Sequence, residues 1–344
     1  MISKIGQEPI MMIERLIQQC WPEWVGTVSQ GAGGWNNTTC FIHQAGRGCV
    51  LRIYNTHRDK DKIEFELDVL ESLRHSELSF ETPMPIPSAT GERIVQIPDG
   101  SERYAVVFEF LEGQRPEGNS LLAAYSFGEK TGELVEALGQ IDMVRPPVYR
   151  PYHELLQSYP ACTREAIEGF CLQPEPAFLG LHQELRQLLD AYDDISRRLG
   201  ALRKLPQQLV HGDLNFSNLL VDPLQPEKVT ALLDFEFCTR DVRVVEPAVV
   251  ISGFLGLEGE HEAISRFCQG FGSRIRLNAE EIEAIPVLIR LRMVDVFLHF
   301  LSRYREGTDD AAVLQEQVRI LSSGLRQLTD SVAWIREAAA RYLL

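Results

Sequence analysis

His211-Gly212-Asp213-Leu214-Asn215-Phe216-Ser217-Asn218, with Asp234-Phe235-Glu236 beginning sixteen residues after Asn218, organises the reading of the whole chain. Between these two segments lie short apolar runs at 219–222 and 229–233, divided by Pro223-Leu224-Gln225-Pro226, and this pattern predicts a small β-hairpin. The loop entering the hairpin carries Asp213 and, five residues on, Asn218; the turn leaving it carries Asp234. Taken singly, Asp213 reads as a loop or N-cap carboxylate and Asp234 as a strand-end turn residue. Taken together, they place a carboxylate, an amide and a second carboxylate at one end of a hairpin.

Outward from the hairpin the pattern is helical. Residues 121–142, 181–202 and most of the chain after 258 have helical spacing, and Asn278 with Glu281 has the form of a capping box. The first third is strand-rich with one helix. Strands are expected at 25–30, 38–43, 48–54, 93–97 and 104–111, and Ile63, Leu67, Leu70 and Leu73 make one apolar stripe along a helix at 59–74. Residues 112–120 are polar, with Gly and Pro, and form the expected hinge. The fold class is therefore α+β, with a strand-rich lobe at 1–112 and a helical lobe at 113–344.

Composition bounds the function. The chain has 344 residues, 44% hydrophobic and 24% charged, with formal net charge -15, so it can bury a full core, and its acidity argues against a general nucleic-acid binder. No apolar run approaches the roughly 20 residues that span a bilayer, and the opening MISKIGQEPIMMIERL lacks a signal-type apolar core. A cytoplasmic chain without membrane partners is expected. Seven scattered cysteines with no CxxC or Cys/His spacing read as reduced thiols.

Phosphoryl transfer needs a carboxylate near an attacking hydroxyl and oxygen ligands that hold Mg²⁺ against nucleotide phosphates, and Asp213, Asn218 and Asp234 are of those types. The pattern matches the protein-kinase signature H-R-D-L-x-x-x-N followed by D-F-G, with Gly212 in place of Arg and Glu236 in place of Gly. More specifically, HGDxxxxN with a following DFE resembles the aminoglycoside phosphotransferase, choline kinase and type II homoserine kinase superfamily.

The resemblance implies a bilobal protein-kinase-like fold, with a small antiparallel-sheet N-lobe bearing one helix and a large, mainly helical C-lobe. It implies an ATP-dependent small-molecule kinase in which Asp213 accepts or orients the proton of a substrate hydroxyl and Asn218 and Asp234 hold Mg²⁺. His211 would hold the loop, and Asp241 and Glu246 would brace it. Gly33, Gly34 and Asn37 match the family's G-G-x-x-N nucleotide loop. Arg52 stands where the family often carries a phosphate-pairing lysine, and Glu66, with Leu70 and Leu73, reproduces the helix pattern of that residue's glutamate partner. The strand and linker at 104–113, including Glu109 and Leu111, would meet adenine through backbone groups.

A protein kinase proper would carry an A-P-E-terminated activation segment and the arginine that Gly212 replaces, so a small hydroxyl substrate fits better. The VLRIY, DFEF and DVRVVEPA runs lean toward homoserine or a related amino alcohol, acted on by a monomer or homodimer. Arg52 and Asn215 motivate a second reading, a spore-coat-like kinase-fold protein that binds nucleotide with little or no catalysis; retention of Asp213, Asn218 and Asp234 argues against it. Asp295 and His299, one helical turn apart, read first as a polar contact between helices.

Overall fold

A computed structural model describes residues 10–31, 37–56, 59–116 and 121–344. Strands β1 (Thr27–Gln30), β2 (Asn37–Gln44), β3 (Arg47–Tyr54), β4 (Pro85–Ile86), β5 (Val95–Gln96) and β6 (Tyr104–Glu109) form an antiparallel sheet in the order β1-β2-β3-β6-β4, with β5 also paired to β6. Successive side chains on a strand face opposite ways, and this period of two allocates the residues. Cys49, Leu51 and Ile53 of β3, with Ala105 and Val107 of β6, pack on one face; Tyr54, Val106 and Phe108 join the core on the other. Arg52, between Leu51 and Ile53, shares the face of Tyr54.

The first face is covered by helix α1 (Ile10–Cys20), whose buried Ile13, Leu16 and Ile17 recur at helical spacing, and by Trp21 and Trp24. Each such buried side chain stabilises by about 1.5–3 kcal/mol. Among the described residues the N-lobe therefore has two α-helices, not the single one expected. Helix α1 is short and set among charges, so packing on the sheet, more than its own propensity, holds it. The second face carries α2 (Lys60–Leu73), capped by the Asp59 side chain and burying Ile63, Leu67, Leu70 and Leu73 as the stripe predicts. The strand expected at 93–97 contracts to β5, and β4 is an unforeseen two-residue edge.

Helices α3 (Ala124–Gly139), α4 (Leu155–Ser158), α5 (Arg164–Leu172) and α6 (His182–Leu202) lead to β7 (Gln207–Val210). Hairpin strands β8 (Leu219–Val221) and β9 (Val229–Leu232) follow, then β10 (Thr239–Val242), which pairs with β7. Helices α7 (Val245–Ser252), α8 (Glu260–Gly272), α9 (Ala279–Arg305) and α10 (Ala311–Leu343) complete the chain. Where α3 meets α8 the backbones touch: a Cβ on Gly270 would lie 2.0 Å from the Tyr125 carbonyl oxygen, and one on Gly128 2.1 Å from that of Phe267. Asn278 and Glu281 close the expected capping box at α9, each side chain meeting the other's backbone N–H at 2.9 Å, an arrangement worth about 1 kcal/mol.

The hairpin also receives the N-lobe. Glu81 pairs with it on both sides, its N–H to the Thr230 carbonyl at 2.8 Å and its carbonyl to the Leu232 N–H at 3.0 Å. Gln114, within the expected hinge, exchanges two backbone bonds with Val221, so that segment is pinned at its start; residues 117–120 lie outside the described ones. Among the described residues no helix is long and apolar enough to cross a membrane.

Candidate active site

The loop after β7 is built from its backbone outward. His211 is fully buried; its Nε2–H donates to the Leu233 carbonyl at 3.0 Å and its Nδ1 accepts from the Asp213 N–H at 3.3 Å. Those partners define a neutral tautomer, and burial lowers the ring's pKa to about 4. The imidazole has no nitrogen left for a substrate proton, which agrees with a holding role. Gly212 follows with φ +80°, a left-handed turn that favours glycine. Glu246, in the first turn of α7, accepts from the backbone N–H groups of His211 and, at 3.2 Å, Gly212. Asp241 accepts from the N–H of Tyr152 at 2.5 Å and of Val242 at 2.7 Å, with His153 Nδ1 at 3.2 Å. Glu246 thus braces the loop directly, whereas Asp241 holds the Tyr152–His153 segment and not the loop itself.

Asn215 caps the turn Phe216–Asn218 through the Ser217 N–H at 2.9 Å and returns its own amide to the Asp213 carbonyl at 2.9 Å. Asn218 donates through Nδ2 to the Asp213 carbonyl at 2.9 Å and to its Oδ2 at 3.2 Å. The Leu233 N–H donates to the Asn218 carbonyl at 2.8 Å, so Asp234 leaves the hairpin beside Asn218. Asp234 does so with φ +68°, a conformation a non-glycine residue holds only under constraint.

On the sheet side, Arg52 Nη1 lies 3.1 Å from Glu66 Oε1 and 3.0 Å from Asp234 Oδ1, and Tyr54 Oη donates to Glu66 Oε2 at 2.8 Å. Glu66, not Glu64, is the partner, as the helix pattern indicates. Asn37, at the start of β2, donates to Glu236 Oε2 at 2.7 Å, and burial followed by the Asp234 charge pushes Glu236 up to about 8. Gly33 and Gly34 lie outside the described residues. The Glu109 side chain is exposed and its N–H is taken by the Met84 carbonyl at 2.8 Å; half-buried Leu111 lies just beyond the strand.

On the helical side, Arg292 of α9 donates to Asp213 Oδ1 and, at 2.7 Å, to Tyr152 Oη, which itself donates to the Gly212 carbonyl at 3.0 Å. Asp295 Oδ2 lies 3.7 Å from Arg292, and Asp295 Oδ1 accepts from Tyr159 Oη at 2.9 Å. Burial raises the Asp213 carboxyl to about 6, with Arg292 pulling it down and Asp234 adding to the rise. Asp295 therefore belongs to the cluster around Asp213. His299, one turn further, instead stands edge-on to Phe300 at 5.2 Å.

The profile of the phosphotransferase enzyme family matches residues 27–282, most of the chain. The chain belongs to this family. This phosphotransferase is 26% identical over 290 residues to a homoserine kinase of Sinorhizobium fredii (strain NBRC 101917 / NGR234), covering 80% of this chain and 79% of that one. A homoserine kinase of Rhizobium meliloti (strain 1021) is 24% identical over 280 residues, 78% of this chain and 76% of the other. Its fold is that of a microcompartment-associated aminopropanol kinase, with TM-score 0.72 and 18% identity over 96% of this chain and 99% of that one. It is likewise that of an amicoumacin kinase in complex with AMP-PNP and Ca²⁺, with TM-score 0.68 and 18% identity over 94% of each chain. The protein is a phosphotransferase with the bilobal α+β architecture expected of it. The alternative of a nucleotide-binding protein without catalysis is set aside.

Sequence reasoning missed three parts of the phosphotransferase site: Arg292, Tyr152 and the burial of Glu236. The one trace of Arg292 in the sequence is a pair of arginines inside an otherwise apolar helical run, Val287-Leu288-Ile289-Arg290-Leu291-Arg292-Met293-Val294. Arg290 goes to Asp194 on α6 at 2.7 Å, so only one of the two reaches the site.

Proposed function

We propose that this kinase passes the γ-phosphoryl of ATP to the hydroxyl of homoserine or a related amino alcohol, with Asp213 as the base. The observation that carries the reading is the convergence of Asp213, Asn218 and Asp234 at the mouth of one hairpin, tied by the Asn218–Asp213 and Leu233–Asn218 hydrogen bonds. In the step, the acceptor O–H gives its proton to Asp213, the O–Pγ bond forms, the bond from Pγ to the bridging oxygen breaks, and ADP leaves with that electron pair.

Asn218 and Asp234 would hold Mg²⁺. Asp234 Oδ1 is buried without a hydrogen bond of its own, and its remaining contact is the Arg52 charge. Among the described residues no group of three or more His, Cys, Asp or Glu could hold a metal, which suits an ion that takes one or two protein oxygens and completes its shell from phosphate and water. Bound there, Mg²⁺ supplies neutralisation of the phosphate charge.

Nucleotide would lie between the lobe of residues 1–112 and that of 113–344. Arg52, steadied by Glu66, would reach for phosphate, with Asn37 on the neighbouring strand β2. The Glu109 carbonyl and the Leu111 backbone read the adenine edge. Resemblance to two homoserine kinases over most of their length supports the acceptor class. Phosphorus NMR of the protein with Mg-ATP and homoserine, amino alcohols or aminoglycosides tests it. The expected result is a phosphomonoester on homoserine or an amino alcohol; phosphorylation of aminoglycosides alone would refute the acceptor, and of none of them, the activity.

A further inference from the structure

The transfer step described above leaves a half-buried cation, Arg292, with no part to play. Arg292 donates to one oxygen of Asp213 while Asn218 donates to the other at 3.2 Å, so both oxygens of the base are engaged. A hydroxyl that must give its proton to Asp213 needs one of them released. The Arg292 side chain is 25% exposed and that of Asp213 16%, so a ligand can reach both. Tyr152, which gives its hydroxyl hydrogen to Gly212, and Asp295, braced by Tyr159, hold the guanidinium on its other sides.

We infer that Arg292 is the specificity residue for a carboxylate on the acceptor, and that in taking this carboxylate it lets go of Asp213, so that the right acceptor unlocks its own base. This rests on the reading of Asp213 as the base. A guanidinium presents five donors in a planar fork and prefers bidentate carboxylate partners. Exchange of one carboxylate for another keeps the Arg292 charge paired and leaves Asp213 to the Asn218 amide and the acceptor hydroxyl, whereas with an acceptor that has no anion Asp213 is freed only by stranding Arg292. Because the two side chains are in contact, a hydroxyl at Asp213 and a carboxylate at Arg292 are separated by the length of a short hydroxy acid. Homoserine has that form; 3-aminopropan-1-ol is the same molecule without the carboxylate, and 4-hydroxybutanoate the same without the amine.

Initial rates on these three acceptors, for wild type, Arg292→Gln, Arg292→Lys and Asp213→Asn, test the inference. Wild type is expected to favour homoserine over 3-aminopropan-1-ol in kcat/KM by roughly 100-fold or more. In Arg292→Gln that ratio should fall below about tenfold, chiefly through a higher KM for homoserine, while turnover of 3-aminopropan-1-ol rises as Asp213 is released. A merely structural arginine would lower both rates together, and that result, or a wild type that prefers 3-aminopropan-1-ol, overturns the inference. Should Arg292→Gln fail to bind Mg-ATP as a folding check, Arg292→Lys decides: an intermediate ratio supports the carboxylate contact and an unchanged ratio refutes it. Activity of wild type on other alcohols but none of these three also refutes it and leaves the kinase reading standing, whereas an Asp213→Asn protein as active as wild type removes the reading beneath.

Discussion

The two sides of the candidate site are charged differently. Around Arg52 gather Glu66, Asp234 and, at one remove, Glu236, an excess of carboxylate over guanidinium; burial first, and then the Asp234 charge, lifts Glu236 to about 8. Around Arg292 the groups are more nearly matched, with Asp213 and Asp295 flanking it and two tyrosine hydroxyls closing the network. An unmatched cluster is completed by a cation brought from outside; a matched one is opened by a ligand that replaces one of its members. On the proposed reading the first side would take metal and nucleotide, and the second would choose the acceptor.

The sharpest way to break this contrast is at the base. Asp213→Asn should lower kcat by about 10³-fold or more while leaving the Kd for Mg-ATP, read by calorimetry, within a few-fold of wild type. Loss of nucleotide binding in step with turnover would merge the two sides into one. Next in size, Asp234→Asn should raise the Mg²⁺ needed for half-maximal rate by about 10- to 100-fold, and a chelator should stop wild type until Mg²⁺ is restored. Arg292→Lys should leave that Mg²⁺ requirement where it was.

A pH profile sharpens the same contrast. Burial lifts Asp213 from its ordinary range to about 6, so protonation on the acid side of that value removes the base, and kcat/KM for the acceptor should fall about tenfold per unit below it. A flat profile down to pH 5 would remove Asp213 from the proton transfer. At the small end, Glu109→Ala should change the KM for ATP by less than about twofold, because an exposed side chain there lends only its carbonyl.

The sheet side was readable in advance and the helical side was not, for reasons of chain distance. Asp213, Asn218 and Asp234 lie within one loop and hairpin, and the alternation of β3 puts Arg52 and Tyr54 on the face where the α2 stripe places Glu66. Local spacing was enough for these. Arg292 meets Asp213 from 79 residues away, across a helix whose apolar pattern says only that it is buried. The sequence pointed to Asp295 on the same helix but favoured a helix-to-helix contact, since nothing local shows what a mid-helix carboxylate faces. Helix α1 escaped for a related reason: Ile13, Leu16 and Ile17 make a narrow stripe that gains its meaning from the sheet beneath it.

The hairpin between the two sides has a practical consequence. Asn218 and Asp234 stand at its base, joined by the bond from Leu233, while its tip turns through an Asp222 that caps the N–H groups of Leu224 and Gln225, with Leu224 almost wholly in solvent. Length and composition at the tip are thereby uncoupled from geometry at the base. A peptide tag spliced at Leu224 would therefore be carried in solvent while Asn218 and Asp234 keep their places at the other end.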